Sequence, residues 1–150
     1  MLKNSIKILL IAFLFIALSA QSSKAAANNP PVVDGYSLNY KAVSYDYAHY
    51  KYTVDLKVLA ADPDNDAVQV TFRIRNYQAC STAQTSTWVN KSSDGYYHWR
   101  VTLVANNKYE YSAKGRDEHG LYSNGLKFCT QSDGSASYGW VPAKTINEGW

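Results

Sequence analysis

The chain has 150 residues, with 15 Lys and Arg against 12 Asp and Glu, and it contains 13 Tyr, 4 Trp and 2 Cys. Three basic residues, Lys3, Lys7 and Lys24, precede an expected processing point after Ala25, and no acid does, so the remainder carries 12 against 12. That neutrality argues against electrostatic capture of nucleic acid or of an anionic membrane, and the length that remains suits one domain with one core.

Residues 1–25 read as a secretory signal peptide. Lys3 and Lys7 give a positive start, Ile8 to Leu18 an apolar run, and small residues follow, with Ser19, Ala25 and Ala27 as cleavage positions. The run is short of the roughly 20 residues that span a bilayer, and no later segment is apolar enough, so no membrane insertion is expected after cleavage. The chain is therefore expected to be secreted, either periplasmic or extracellular. In such a compartment Cys80 and Cys129 are expected to oxidise to one intramolecular disulfide, free or intermolecular thiols being the alternative. Closing that loop stabilises by roughly 4 kcal/mol in the chain-entropy picture.

Beyond the leader, strand patterns follow one another. A first strand is expected near Tyr36 to Val43. Tyr50 to Ala60 alternates Tyr50, Tyr52, Val54, Leu56, Val58 and Ala60 against Lys51, Thr53, Asp55 and Lys57, the period-two signature of a half-buried antiparallel strand. Val68 to Arg75 repeats it, with Val68, Val70, Phe72 and Ile74 inward and Gln69, Thr71, Arg73 and Arg75 outward. A short strand is expected over Ser86 to Asn90, then Tyr97 to Leu103, Tyr109 to Gly115, and Leu121 to Cys129 with a bulge at Gly125. About seven short strands with Asn, Asp, Gly and Ser turns predict an all-β antiparallel sandwich over residues 26–130. The tail, residues 131–150, either packs on it or stays mobile.

The stretches "YKYTVDLKVLAADPDNDAVQVTFRI" and "NKYEYSAKGRDEHGLYSN" resemble strands of bacterial immunoglobulin-like, fibronectin type III-like and cadherin-like domains. The likeness covers about Tyr36 to Cys129. The Cys pair of antibody domains and the Trp of their third strand are missing, so it points to a looser sandwich. It implies that Cys80 and Cys129 reach one end of the sandwich, where a disulfide is feasible. It also implies that the loops Asp62–Ala67, Asn90–Gly95 and Asp117–Gly120 share the other end, bringing Asp62, Asp64, Asp66, Asp94, Asp117 and Glu118 near Lys91, Arg116 and His119. Cadherin-like relatives bind calcium with such loops, generally between consecutive domains.

Asp62, Asp64 and Asp66 fill the first three ligand positions of an EF-hand, but Ala67 stands where Gly is required and Arg73 where the closing Glu belongs. The first reading of "DPDND" is a turn, with Pro63 fixing φ and the Asp side chains bonding local backbone. A calcium site from Asp62, Asp64, Asp66 and Asp117 is the second, and no other cofactor is expected.

His49, His98 and His119 belong to no catalytic motif, and neither a nucleophile elbow, a zinc helix nor a phosphate loop occurs. His98 is expected outward on its strand. No enzyme activity is expected. Tyr45, Tyr47, Trp88, Tyr96, Tyr122, Tyr138, Trp140 and Trp150 fall out of phase with the core, and exposed rings of this kind stack on sugar faces or anchor interfaces. Packing of Trp140 and Trp150 onto the sandwich as a cover is the competing account. Arg73 and Arg75 are expected on a solvated face with Arg100 or Lys114. The leading expectation is a non-catalytic module that binds a polysaccharide through Trp88, Tyr96, Trp140 and Trp150. A protein-interaction module, either an adhesion subunit meeting a surface protein or a periplasmic accessory protein, is the alternative, resting on Asp94, Asp117 and His119 or on a sheet edge. A small secreted hydrolase is third.

Overall fold

The structure, a computed structural model, describes residues 27–77, 82–126, 128 and 138–146. The leader, Cys80, Cys129 and Trp150 lie outside the described residues.

Seven strands run in chain order: β1 (Val32–Asp46), β2 (Lys51–Ala61), β3 (Val68–Asn76), β4 (Thr82–Thr85), β5 (Tyr97–Val104), β6 (Tyr109–Asp117) and β7 (Lys144–Ile146). They form one sheet in the order β1-β2-β5 and a second in the order β4-β3-β6-β7, every neighbouring pair antiparallel. The chain crosses between sheets after β2, β4 and β5, an immunoglobulin-like sandwich and the class the strand patterns predict.

Alternation places the core. On β2 the buried residues are Tyr52, Val54, Leu56, Val58 and Ala60, and facing them across the sandwich lie Val70, Phe72 and Ile74 of β3 and Tyr109, Tyr111 and Ala113 of β6. Each fully buried aliphatic or Phe side chain here contributes about 1.5–3 kcal/mol relative to leaving it in water. A charge at Leu56 or Phe72 would break the fold at its centre.

Four elements differ from the expectations. β1 extends well past Tyr36–Val43 in both directions, with register shifts between Asp34 and Asn39 and between Ala42 and Ser44 that let it bend around the sheet edge. Tyr50 is not on the core face. It closes the β1–β2 turn at φ 51° and is 64 % exposed, because the reversal takes a left-handed residue there. The short strand pairs at Thr82–Thr85 rather than Ser86–Asn90, where only Val89 bridges Val70. Its ladder stops at Ser86, whose hydroxyl accepts the Phe72 N–H at 2.9 Å in place of a backbone carbonyl. Lastly, the described residues of the expected strand Leu121 to Cys129 form no strand. Tyr122 pairs with Arg116 and Leu126 with Trp140 only as isolated bridges, and β7 comes instead from the tail.

That last difference has a local cause. The Asp117–Gly120 turn, closed by the Gly120 N–H on Asp117 O at 3.3 Å, returns the chain along β6 as far as Ser123. The chain then leaves, and residues 138–141 pass so close that a Cβ on Gly125 would lie 2.4 Å from the Trp140 carbonyl oxygen. Gly139, at φ 97°, would put a Cβ 2.4 Å from the Ser123 carbonyl oxygen. Val141 and Ile146 then enter the core, and Trp140 is buried.

Candidate functional site

The turn between β2 and β3 is built as its sequence predicts. Asn65 N–H donates to Asp62 O at 3.1 Å, and Asp64 N–H to Asp62 Oδ1 at 2.8 Å. It also gathers acids: one carboxylate oxygen each from Asp62, Asp66 and Asp117 lie within 4.8 Å of one another. Asp117 is 4 % exposed and held by the Asn28 amide and the Leu121 N–H, each at 2.8 Å. Desolvation by itself would raise its pKa, but these bonds, the His119 backbone bond and the His119 charge hold the carboxyl below its ordinary range. Asp62 Oδ2 is fully shielded from solvent with no hydrogen-bond partner among the described residues. A buried carboxylate oxygen with no donor costs free energy that a cation would recover. Asp64 does not join this group; it takes the Asn29 N–H at 2.6 Å. His119 approaches Asp66 at 3.5 Å and Glu118 at 4.0 Å. The donor set of Asp62, Asp66 and Asp117, all oxygen, fits calcium. An open hollow of about 420 Å³, lined by Asp62, Asp66, Asn90, Lys91 and Tyr97 among others, lies beside it.

The outward face of the β4-β3-β6-β7 sheet interleaves cations with rings. Arg116 lies 4.3 Å from the Trp88 ring centroid, and Trp88 meets Tyr122 at 6.0 Å. Lys114 lies 4.7 Å from Tyr122 and 5.2 Å from Trp140; Arg73 lies 4.8 Å from Trp140, and Arg75 4.6 Å from Phe128. Strand geometry dictates the row: Arg73 faces Ser112 and Thr71 faces Lys114 in register, so alternate residues of β3 and β6 project to one side. Arg75 forms an ion pair with Glu110. Among the described residues Arg73, Lys114 and Arg116 have no acidic partner. Burial, and then the Arg73 charge, push the Lys114 pKa down. Tyr122 is 51 % and Tyr138 60 % exposed, and both border an open hollow of about 610 Å³ together with Lys114 and Asn124.

The expected sugar contacts separate. Trp88 is half-buried on this face, whereas Tyr96 sits on the other sheet beneath Lys57, at 4.5 Å, and edge-on to His98. Trp140 is 1 % exposed and lies outside the core cluster, packed against Arg73 and Lys114 on the outer side of β3 and β6, so its ring covers part of this face and is not open to a ligand. His98, expected on an ordinary surface, is half-buried and bonds Asp55 at 3.1 Å and Asp94 at 2.9 Å, which draws Asp94 away from the acidic end. The expected meeting of Arg73 and Arg75 with Arg100 does not occur, because Arg100 lies on β5, opposite Asp55. The roles of Lys114 and Arg116 beside the rings escaped the sequence reading. The available signal was alternation of Arg and Lys on two strands that pair.

No known family's sequence pattern matches the chain, and no curated protein does. Among solved structures it is similar to the PKD domain of an M14-like peptidase from a Thermoplasmatales archaeon, at 16 % identity and a TM-score of 0.39, covering 80 % of this chain and 96 % of that one.

Proposed function

We propose that the chain is an exported, non-catalytic module that binds polysaccharide on the outer face of the β4-β3-β6-β7 sheet. The observation that carries this reading is the platform formed by Trp88 and Tyr122, 6.0 Å apart and tilted by 35°, with exposed Tyr138 and Asn124 at the rim of the hollow. Planar rings offer apolar area with little entropy to lose, and neighbouring amide and ammonium donors match sugar hydroxyls. The leader pattern of residues 1–25 supports export. Retention of the protein on insoluble chitin, cellulose or peptidoglycan, lost in Trp88→Ala and Tyr122→Ala, is the expected result. No retention on any polymer overturns the reading and leaves the protein-interaction alternative.

A second observation, the unpartnered Asp62 oxygen beside Asp66 and Asp117, favours a calcium ion at the acidic end. Calcium there would tie the β2–β3 turn to the end of β6. Calorimetric titration with calcium tests this, and absence of heat in the unmodified protein sinks it.

A further inference from the structure

The platform is not chemically neutral, although the chain beyond its leader is. Arg73, Lys114 and Arg116 line one face without an acid among the described residues, and Arg75 is the cation of that face with one, Glu110. Solvated surface cations need no partner, but these are half-buried. Arg73 Nε is shielded from solvent without a hydrogen-bond acceptor among the described residues. Arg116 gives Nε and Nη2 to Gln69 Oε1, at 3.2 and 2.8 Å, and keeps its remaining donors. Lys114 lies against the Tyr122 and Trp140 rings and beside Gly139, and among the described residues it forms no ion pair.

Like charges held together with incomplete hydration disfavour the protein alone and favour it with an anion. The depressed pKa of Lys114 points the same way, its causes being burial and then Arg73. Rings and cations together also suit single-stranded nucleic acid, but a neutral chain with an export signal is poorly fitted to that partner.

Resting on the polysaccharide reading, we infer that the ligand is an acidic polysaccharide, its sugar faces on Trp88 and Tyr122 and its anionic groups on Lys114 and Arg116. The anion is a carboxylate or a sulfate ester; the guanidinium fork of Arg116 accommodates either.

Affinity electrophoresis of the full chain, recovered from its export compartment, tests this in gels containing polygalacturonate, carboxyl-reduced polygalacturonate, dextran sulfate or dextran. The expected result is binding to one acidic polymer about tenfold tighter than to its neutral counterpart, weakening as salt rises, with Lys114→Gln/Arg116→Gln removing the preference. Preference for polygalacturonate identifies the carboxylate, and preference for dextran sulfate the sulfate. Equal binding to acidic and neutral partners overturns the acidic ligand but leaves the polysaccharide reading standing. Failure on all four and on chitin, cellulose and peptidoglycan removes both. A fifth gel containing polyglutamate carries charge without sugar, and binding to it equal to that of the acidic polysaccharides means charge capture alone and overturns the inference. Should the double variant unfold, the salt dependence of the unmodified protein decides, and a flat response overturns the proposal.

Discussion

On the outer face of the β1-β2-β5 sheet, polar groups find one another. His98 lies between Asp55 and Asp94, and Thr53 bonds Thr102 hydroxyl to hydroxyl at 2.9 Å. Across the sandwich, the outer face of β3 and β6 presents the same period-two alternation of polar residues, yet its cations meet aromatic rings. On the first face one cation, Lys57, also meets a ring, that of Tyr96. On the second, Arg73, Lys114 and Arg116 all meet rings and have no acidic partner among the described residues, and those rings, Trp88, Tyr122 and Trp140, come from outside β3 and β6.

The largest way to break this contrast is to remove the buried ring packed against Arg73 and Lys114. Trp140→Ala is expected to cost about 3–5 kcal/mol in urea unfolding, the usual range for deleting a buried Trp. A loss under about 1 kcal/mol would mean that the ring is not packed as described. Calcium comes next. At one hundred times its dissociation constant, a site at Asp62, Asp66 and Asp117 stabilises by about 2.7 kcal/mol, read as a higher melting temperature that Asp62→Asn abolishes. Low pH sharpens the same region. The Asp117 carboxyl is held below its ordinary 3.8, so its contribution is fully present above that value and lost as pH falls through the lowered one. Asp117→Asn should therefore flatten the acid limb of the stability profile below 3.8. Gly139→Ala should cost more than about 1 kcal/mol, since φ 97° and the Ser123 carbonyl both exclude a Cβ. A neutral result in thermal unfolding would show that the two segments need not lie so close. The smallest effect belongs to the outer face of the β1-β2-β5 sheet. Thr102→Ala should stay within about 0.5 kcal/mol and leave polysaccharide retention unchanged.

What was legible in the sequence was whatever obeys a short period or a local turn. Val54, Leu56 and Val58 announce β2 by alternation, and Asp62 with Pro63 announces the reversal after it. The pairing of residues 121–126 with 138–141 was not legible, because it depends on backbones distant in sequence passing at two glycines, Gly125 and Gly139. The site followed the same division. Asp62, Asp66 and Asp117 could be brought to one end from strand topology, but not the turning away of Asp64 toward Asn29. Which Trp faces solvent was hidden too. Trp88 and Trp140 are both out of phase with the core, and only the docking of residues 138–146 buries one and leaves the other half-open.

The placement of those residues has a consequence in time. Trp140 packs against cations of a face whose other rings, Trp88 and Tyr122, are synthesised well before it, and β7 is the last of the described strands to be made. Strands β1 to β6 all precede residues 138–146 in the chain, so the face of β3 and β6 gains its Trp140 contacts only after its own two strands have been made. A chain stopped at Leu126 therefore carries Trp88 and Tyr122 but not the Trp140 ring that packs against Arg73 and Lys114.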